Sequence, residues 1–155
     1  MALSALDKDL IRLLSQDGRM PTGEMAQNLE VTNPTVRSRM KALMRSGVLK
    51  VAGLVDPFKI ENLIIVLVAL NIEKHQQLDE KVEQISKLDL VHWAAVVTGR
   101  YDIIVEVISP NGMPDFYRFL TVELPKVGGI LSSESFMIMK AKCKWILLPD
   151  QMKDW

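Results

Sequence analysis

Cysteine is nearly absent: Cys143 is the single one among 155 residues. No internal disulfide can form, so the chain points to a reducing, cytoplasmic setting in which that thiol serves as a small buried hydrophobe. Histidine is scarce too. Neither His75 nor His92 has a cysteine or carboxylate at metal-ligand spacing, so neither a metal nor a cofactor is expected. Also lacking are a nucleophile elbow, a glycine-rich phosphate cradle and a Cys-x-x-Cys pair, which removes the usual signs of hydrolase, nucleotide-binding and redox chemistry. The longest apolar run, residues 63–70, is too short to cross a bilayer as a helix. The start, Met1-Ala2-Leu3-Ser4, has neither the basic nor the apolar region of a signal peptide. A soluble chain with no membrane role and no visible catalytic apparatus is expected, long enough for one domain or two small ones.

One further absence is local. Between Val31 and Val55 there is no acid, yet Arg37, Arg39, Lys41, Arg45 and Lys50 all fall there, in a chain with 19 basic and 19 acidic residues. Residues 1–60 hold nine basic and six acidic residues, a balance of +3, and residues 61–155 hold ten and thirteen, a balance of −3. The neutral total thus hides a basic half suited to nucleic acid.

The acid-free stretch reads as a helix. Val31 can staple onto Val36, Thr32 can cap, Pro34 is tolerated in the first turn and Gly47 closes the run. At about 100° per residue from Val36, the residues Met40, Leu43 and Met44 form an apolar stripe, while Arg37, Ser38, Lys41 and Arg45 fall opposite. Such a charged face is compatible with mere solvation; its neighbours argue for more. Asp7 can cap an upstream helix carrying Leu10, Ile11, Leu13 and Leu14, and a short helix over 22–28 offers Met25 and Ala26, with Leu29 just beyond. A tight turn around Glu30 then joins it to the basic helix, which is the spacing of a helix-turn-helix whose second helix enters the major groove. Residues 48–55 suit a small strand pair or wing.

The remainder alternates strand and helix patterns: strands over 63–72, 91–97, 101–108 and 130–142, and helices over 76–88 and 113–124. The order βαββαβ predicts a ferredoxin-like sheet with both helices on one face. Residues 144–148 could add an edge strand. The fold class is therefore α+β, with a winged helix-turn-helix domain over 1–55, a linker over 56–62 and a ferredoxin-like domain over 63–155. Because residues 63–70 are apolar at every position, the face without helices must also be buried. A second copy of the sheet in a homodimer is the economical cover, and a terminal segment of the same chain is the alternative.

Leu6-Asp7, Asp9, Ile11 and Leu14, then Asp17-Gly18-Arg19, Met25-Ala26, Thr35-Val36-Arg37-Ser38-Arg39, Leu43 and Gly47-Val48-Leu49 resemble the N-terminal half of the Lrp/AsnC (feast/famine) family of prokaryotic transcription regulators. Val97-Thr98-Gly99-Arg100-Tyr101-Asp102 and Leu124-Pro125 resemble its second half. The resemblance spans nearly the whole chain. It implies a regulator that binds double-stranded DNA, forms homodimers that assemble further into tetramers or octamers, and senses a small effector, commonly an amino acid, at a loop between dimers.

The DNA-contact candidates are Asn33 and Thr35 for bases, Arg37, Ser38 and Lys41 for bases or phosphates, and Arg45 and Lys50 for phosphates. Arg39 belongs to the same set, with a structural ion pair as its competing role. The effector candidates are Gly99, Arg100, Tyr101, Asp102, Ser133 and Ser135, with Asp102 placed to meet an ammonium and the backbone at Gly99 with Ser133 or Ser135 to meet a carboxylate. Asp102 is also suited simply to fixing a hairpin turn. The family pattern often has Thr at position 135, and Gly128-Gly129 stands as an insertion relative to it. Sirohaem decarboxylases resemble this two-domain layout but carry a His-Asn-Tyr-x-Arg-like segment where this chain has Thr-Gly-Arg-Tyr-Asp. A third alternative is an effector-binding module without DNA function.

Overall fold

A computed structural model describes residues 2–148, which form two compact units divided between Gly53 and Leu54. The first holds α1 (Ala5–Gln16), α2 (Thr22–Asn28) and α3 (Asn33–Arg45). Ser4, not Asp7, caps α1: Ser4 Oγ accepts from the Asp7 N–H at 3.2 Å, and Asp7 Oδ2 accepts from the Ser4 N–H at 3.0 Å. This reciprocal capping box satisfies two end donors at once, which is why the acid sits three residues inside the helix start. Leu10 and Leu14 of α1, Met25 and Ala26 of α2, and Val36 and Leu43 of α3 close one core. Their helical spacing puts each set on a single face. Between α2 and α3 the chain reverses at Glu30, whose φ is +52°, and the Val31 N–H donates to the Ala26 carbonyl at 3.0 Å. Thr32 caps α3 by accepting from the Thr35 N–H, and Gly47, with φ of +72°, turns the chain out of it.

Arg39 ties α3 to α1. Its Nε donates to Asp7 Oδ1 at 2.9 Å while Nη2 donates to the other oxygen, and Asp7 has no accessible surface. The Arg39 hydrogen bond, followed by that of Ser4, holds the Asp7 carboxyl down at about 2 from an ordinary 3.8. A depressed carboxylate stabilises the fold above its unfolded value, and that contribution is lost as pH falls from about 4 through about 2. In an acid titration followed by helix circular dichroism, Asp7→Asn should therefore be less stable near neutrality and show a flatter pH dependence over that window. Parallel curves for variant and wild type would contradict the pairing.

The strand pair expected over 48–55 does not form. Val55 alone makes a bridge, antiparallel to Ile146, and the rest is irregular. A two-stranded ribbon this short is marginal without packing, and Gly53 weakens it further.

The second unit opens with a one-turn helix, Pro57–Lys59, capped by Asp56, which accepts from the Phe58 N–H at 3.1 Å. Then follow β1 (Ile64–Ile72), α4 (Leu78–Ser86), β2 (Val91–Val96), β3 (Ile103–Ser109), α5 (Met113–Arg118) and β4 (Ile130–Met137). The sheet order is β2-β3-β1-β4 with every pair antiparallel, the ferredoxin-like arrangement. Strand alternation sends Val66, Val68, Leu70 and Ile72 with Ile103, Val105 and Val107 against Ile85 of α4, Phe116 of α5 and Phe119.

Four expectations change here. The helix predicted over 113–124 is α-helical only to Arg118, widens into a π turn over Phe119–Glu123 and tightens into a 3-10 turn over Leu124–Val127. Pro125 has no N–H to continue an α ladder, and the Thr121 hydroxyl donates to the Tyr117 carbonyl at 2.8 Å. Strand β4 stops at Met137, and 144–148 is no edge strand: the chain turns at Cys143, with φ of +57°, and only Ile146 makes a bridge. Cys143 is itself exposed, not buried.

That turn has a consequence for the sheet's other face. Leu63, Ile65 and Ile108 are buried there by Ile146, with Val55, Ile60, Ile138 and Leu148 packed around them. The chain's own segments therefore cover one end of the face. Farther along, register aligns Leu67, Glu106, Trp93 and Phe136 across the four strands, with Ala69 opposite Ile104 beside them. Trp93 and Phe136 are 39% and 45% exposed. Glu106 is buried, accepting from Trp93 Nε1 at 2.8 Å and Lys144 Nζ at 2.7 Å, with His92 Nδ1 at 3.4 Å from its other oxygen. Among the described residues, no helix is long and apolar enough to cross a membrane.

Candidate DNA interface and effector loop

Helix α3 presents its cations because its apolar residues are committed elsewhere. Val36 and Leu43 are buried in the three-helix core, while Asn33, Arg37, Ser38, Lys41 and Arg45 are exposed on the helix and Lys50 in the segment after it. Among the described residues, no carboxylate pairs with Arg37, Lys41, Arg45 or Lys50. Free donors on one acid-free face can meet phosphates spaced along a groove. Thr35 is half-buried, and its hydroxyl lies 2.8 Å from Thr32 Oγ1 in the cap.

Arg39 stands apart. Its guanidinium fork is spent on Asp7, which favours the structural role over DNA contact. A second departure is Met44. The stripe drawn from Val36 counts it as packed, but it is 49% exposed, and with Met40 it lines a groove of about 520 Å³ walled by Thr22, Arg37, Lys41 and Arg45.

In the second unit, Gly99 has φ of +126° in the β2–β3 connection, where the Val97 N–H donates to the Asp102 carbonyl at 2.9 Å. Both oxygens of the Asp102 side chain are engaged: Oδ2 accepts from the Ile72 N–H at 2.8 Å, and Oδ1 lies 3.1 Å from His75 Nε2. Asp102 thus anchors the end of β1. The Arg100 guanidinium lies 5.3 Å from the centre of the Tyr101 ring, and the Tyr101 hydroxyl donates to Glu134, which pushes the phenol's pKa up.

Glu134 is therefore the β4 residue that the loop meets, and sequence reasoning missed it. Ser133 and Ser135 pair with Leu70 and Val68, whose side chains face the helices, so they project from the face opposite Glu134. Within one chain they are not brought to Asp102. Glu134 stands opposite Ala69 in the β1–β4 pairing, a cross-strand register that no local pattern announces. His75 and His92, isolated in sequence, each meet one carboxylate, but no group of three metal-ligating side chains occurs among the described residues.

A three-helix unit with unpaired cations on its last helix, followed by a ferredoxin-like unit, has the layout of a helix-turn-helix DNA-binding protein with an appended second domain. Residues 3–50 match the model for winged helix-turn-helix DNA-binding domains, and residues 64–144 match the model for the Lrp/AsnC ligand binding domain. The chain belongs to the Lrp/AsnC family and is a DNA-binding transcription regulator. It is 34% identical over 144 residues to an uncharacterized HTH-type transcriptional regulator of Pyrococcus abyssi, a match covering 92% of this chain and 89% of that one. With the regulatory protein AsnC of Haemophilus influenzae it shares 23% identity, over 89% of this chain and 92% of the relative. A transcriptional regulator of Neisseria meningitidis, solved as a complex with L-Met, superposes with a TM-score of 0.74 at 20% identity, covering 96% and 97% of the two chains. At that identity the likeness is one of fold.

Proposed function

We propose that α3 lies in the major groove of operator DNA, with Arg37, Ser38 and Lys41 at bases or phosphates, Asn33 and Thr35 reading bases near its start, and Arg45 and Lys50 on phosphate. The observation that carries this is the set of unpaired cations on an acid-free helix whose opposite side is locked into the core. The chain works in the cytoplasm as a regulator and not as an enzyme. Two copies pair through the uncovered part of the sheet, around Leu67, Trp93, Ile104 and Phe136, and such dimers assemble further. Pairing buries the exposed aromatics and presents two recognition helices to two half-sites. The test is retention of genomic DNA fragments at low salt: discrete sites are expected, and none would leave an effector-binding module without DNA function.

The same proposal gives the loop Gly99-Arg100-Tyr101-Asp102 an amino-acid effector. The Neisseria complex with L-Met supports that ligand class. His75 is largely exposed, so a ligand ammonium can take its place at Asp102 Oδ1. A ligand that favours one assembly state changes DNA affinity through a coupling of about 1–3 kcal/mol, roughly 5- to 150-fold. In calorimetric titration with whichever amino acid raises the melting temperature, Asp102→Ala should bind more weakly and lose the effector response while keeping ligand-free DNA binding. Equal affinities would show that Asp102 only anchors the hairpin.

A further inference from the structure

We infer that Met44, backed by Met40, reads the 5-methyl group of thymine in the operator. The inference rests on the placement of α3 in the major groove. Met44 leaves about half its surface in water on a helix whose other exposed side chains, Pro34 and Ala42 apart, are polar or charged, and it forms no part of the three-helix core. The groove it shares with Met40 has a largely apolar surface, and Arg37, Lys41, Arg45 and Thr22 complete its lining. Three cations beside an apolar surface select an occupant that is both polyanionic and locally apolar at its edge. Duplex DNA supplies both. Its phosphates meet the cations, and in the major groove the thymine methyl is the one apolar group on a base edge.

A thioether suits this task because it is unbranched and polarisable, and it follows the position of a methyl group without a fixed hydrogen-bond geometry. Arg37 lies seven residues before Met44, about 20° away around the helix, so a cation and an apolar reader share one line along the groove. Discrimination should be modest. Losing one buried methyl contact lowers affinity about fourfold.

The experiment uses the full chain and a duplex enriched from a random 30-base-pair library by in vitro selection. Each thymine is replaced in turn by deoxyuridine, which removes only the methyl. Wild type should lose about fourfold at one or two positions per half-site. Met44→Gln, polar but of similar length, should bind the thymine duplex about fourfold more weakly and show no further loss on deoxyuridine at those positions. Melting curves should coincide, since Met44 lies outside the core. Losses that add in the double change, or no thymine at which the methyl matters, would overturn the assignment to Met44. Failure to enrich any duplex would instead overturn the DNA-binding reading beneath it.

Discussion

Val68→Asp should unfold the C-terminal unit. Val68 has no accessible surface, sits in the middle of central strand β1, and packs toward α4 and α5 and not toward the outer face. A carboxylate there has no partner, and its burial costs roughly 4 kcal/mol or more. That is a large part of the roughly 5–15 kcal/mol that holds a domain of this kind. Val66 lies on the same face, so Val66→Asp should behave alike. Phe136→Asp is the contrasting change: its ring is half-exposed on the outer face, so the chain should keep its fold while the proposed pairing of two copies is lost. Circular dichroism and light scattering separate the two. A folded Val68→Asp protein, or a dimeric Phe136→Asp protein, would contradict the assignment of faces.

Replacing Lys41 and Arg45 together by Ala should weaken operator binding strongly and leave the fold alone. Both are exposed and neither contributes to the core of the first unit. Each phosphate contact releases counterions, and two lost contacts per protomer correspond to about a 30-fold loss at 0.15 M salt, or about 1,000-fold for a dimer. Arg39→Ala should act differently. It leaves Asp7 buried without its partner, so it should lower the melting temperature, and any loss of binding should follow the loss of fold.

The contrast between Lys41 and Arg39 shows how far sequence carries. Periodicity places both outside the Val36–Leu43 stripe, and the helix-turn-helix follows from local signals alone: Thr32, Pro34, Gly47 and the spacing of buried residues. Whether a cation near the stripe's edge meets phosphate or a carboxylate depends on α1, 32 residues away, and that partner is invisible to a helical wheel. Met44 fails for a related reason. At about 80° from Val36 it sits nearer to Arg37 than to the centre of the buried stripe.

In the second unit, alternation and strand order were legible and gave the ferredoxin-like arrangement. The all-apolar run of β1 asks for cover on both faces, and the outer one receives it from the chain itself at one end. It could not say that Ile146, some 80 residues later, supplies part of that cover. The irregular path of 48–55, the π turn before Pro125 and the Tyr101–Glu134 contact likewise depend on tertiary context. They lie where local pattern is weakest, in connections and at a bulged edge.

The claim that α3 grips DNA phosphate is tested most directly by the salt dependence of operator affinity. Log K plotted against log [KCl] should be linear for wild type, and the Lys41→Ala, Arg45→Ala protein should show a slope shallower by about 1.8 per protomer. Misfolding lowers affinity without that defined change in slope, so the two causes are separable. A slope identical to that of wild type would mean that these cations do not touch the backbone and that α3 is not the DNA-binding face.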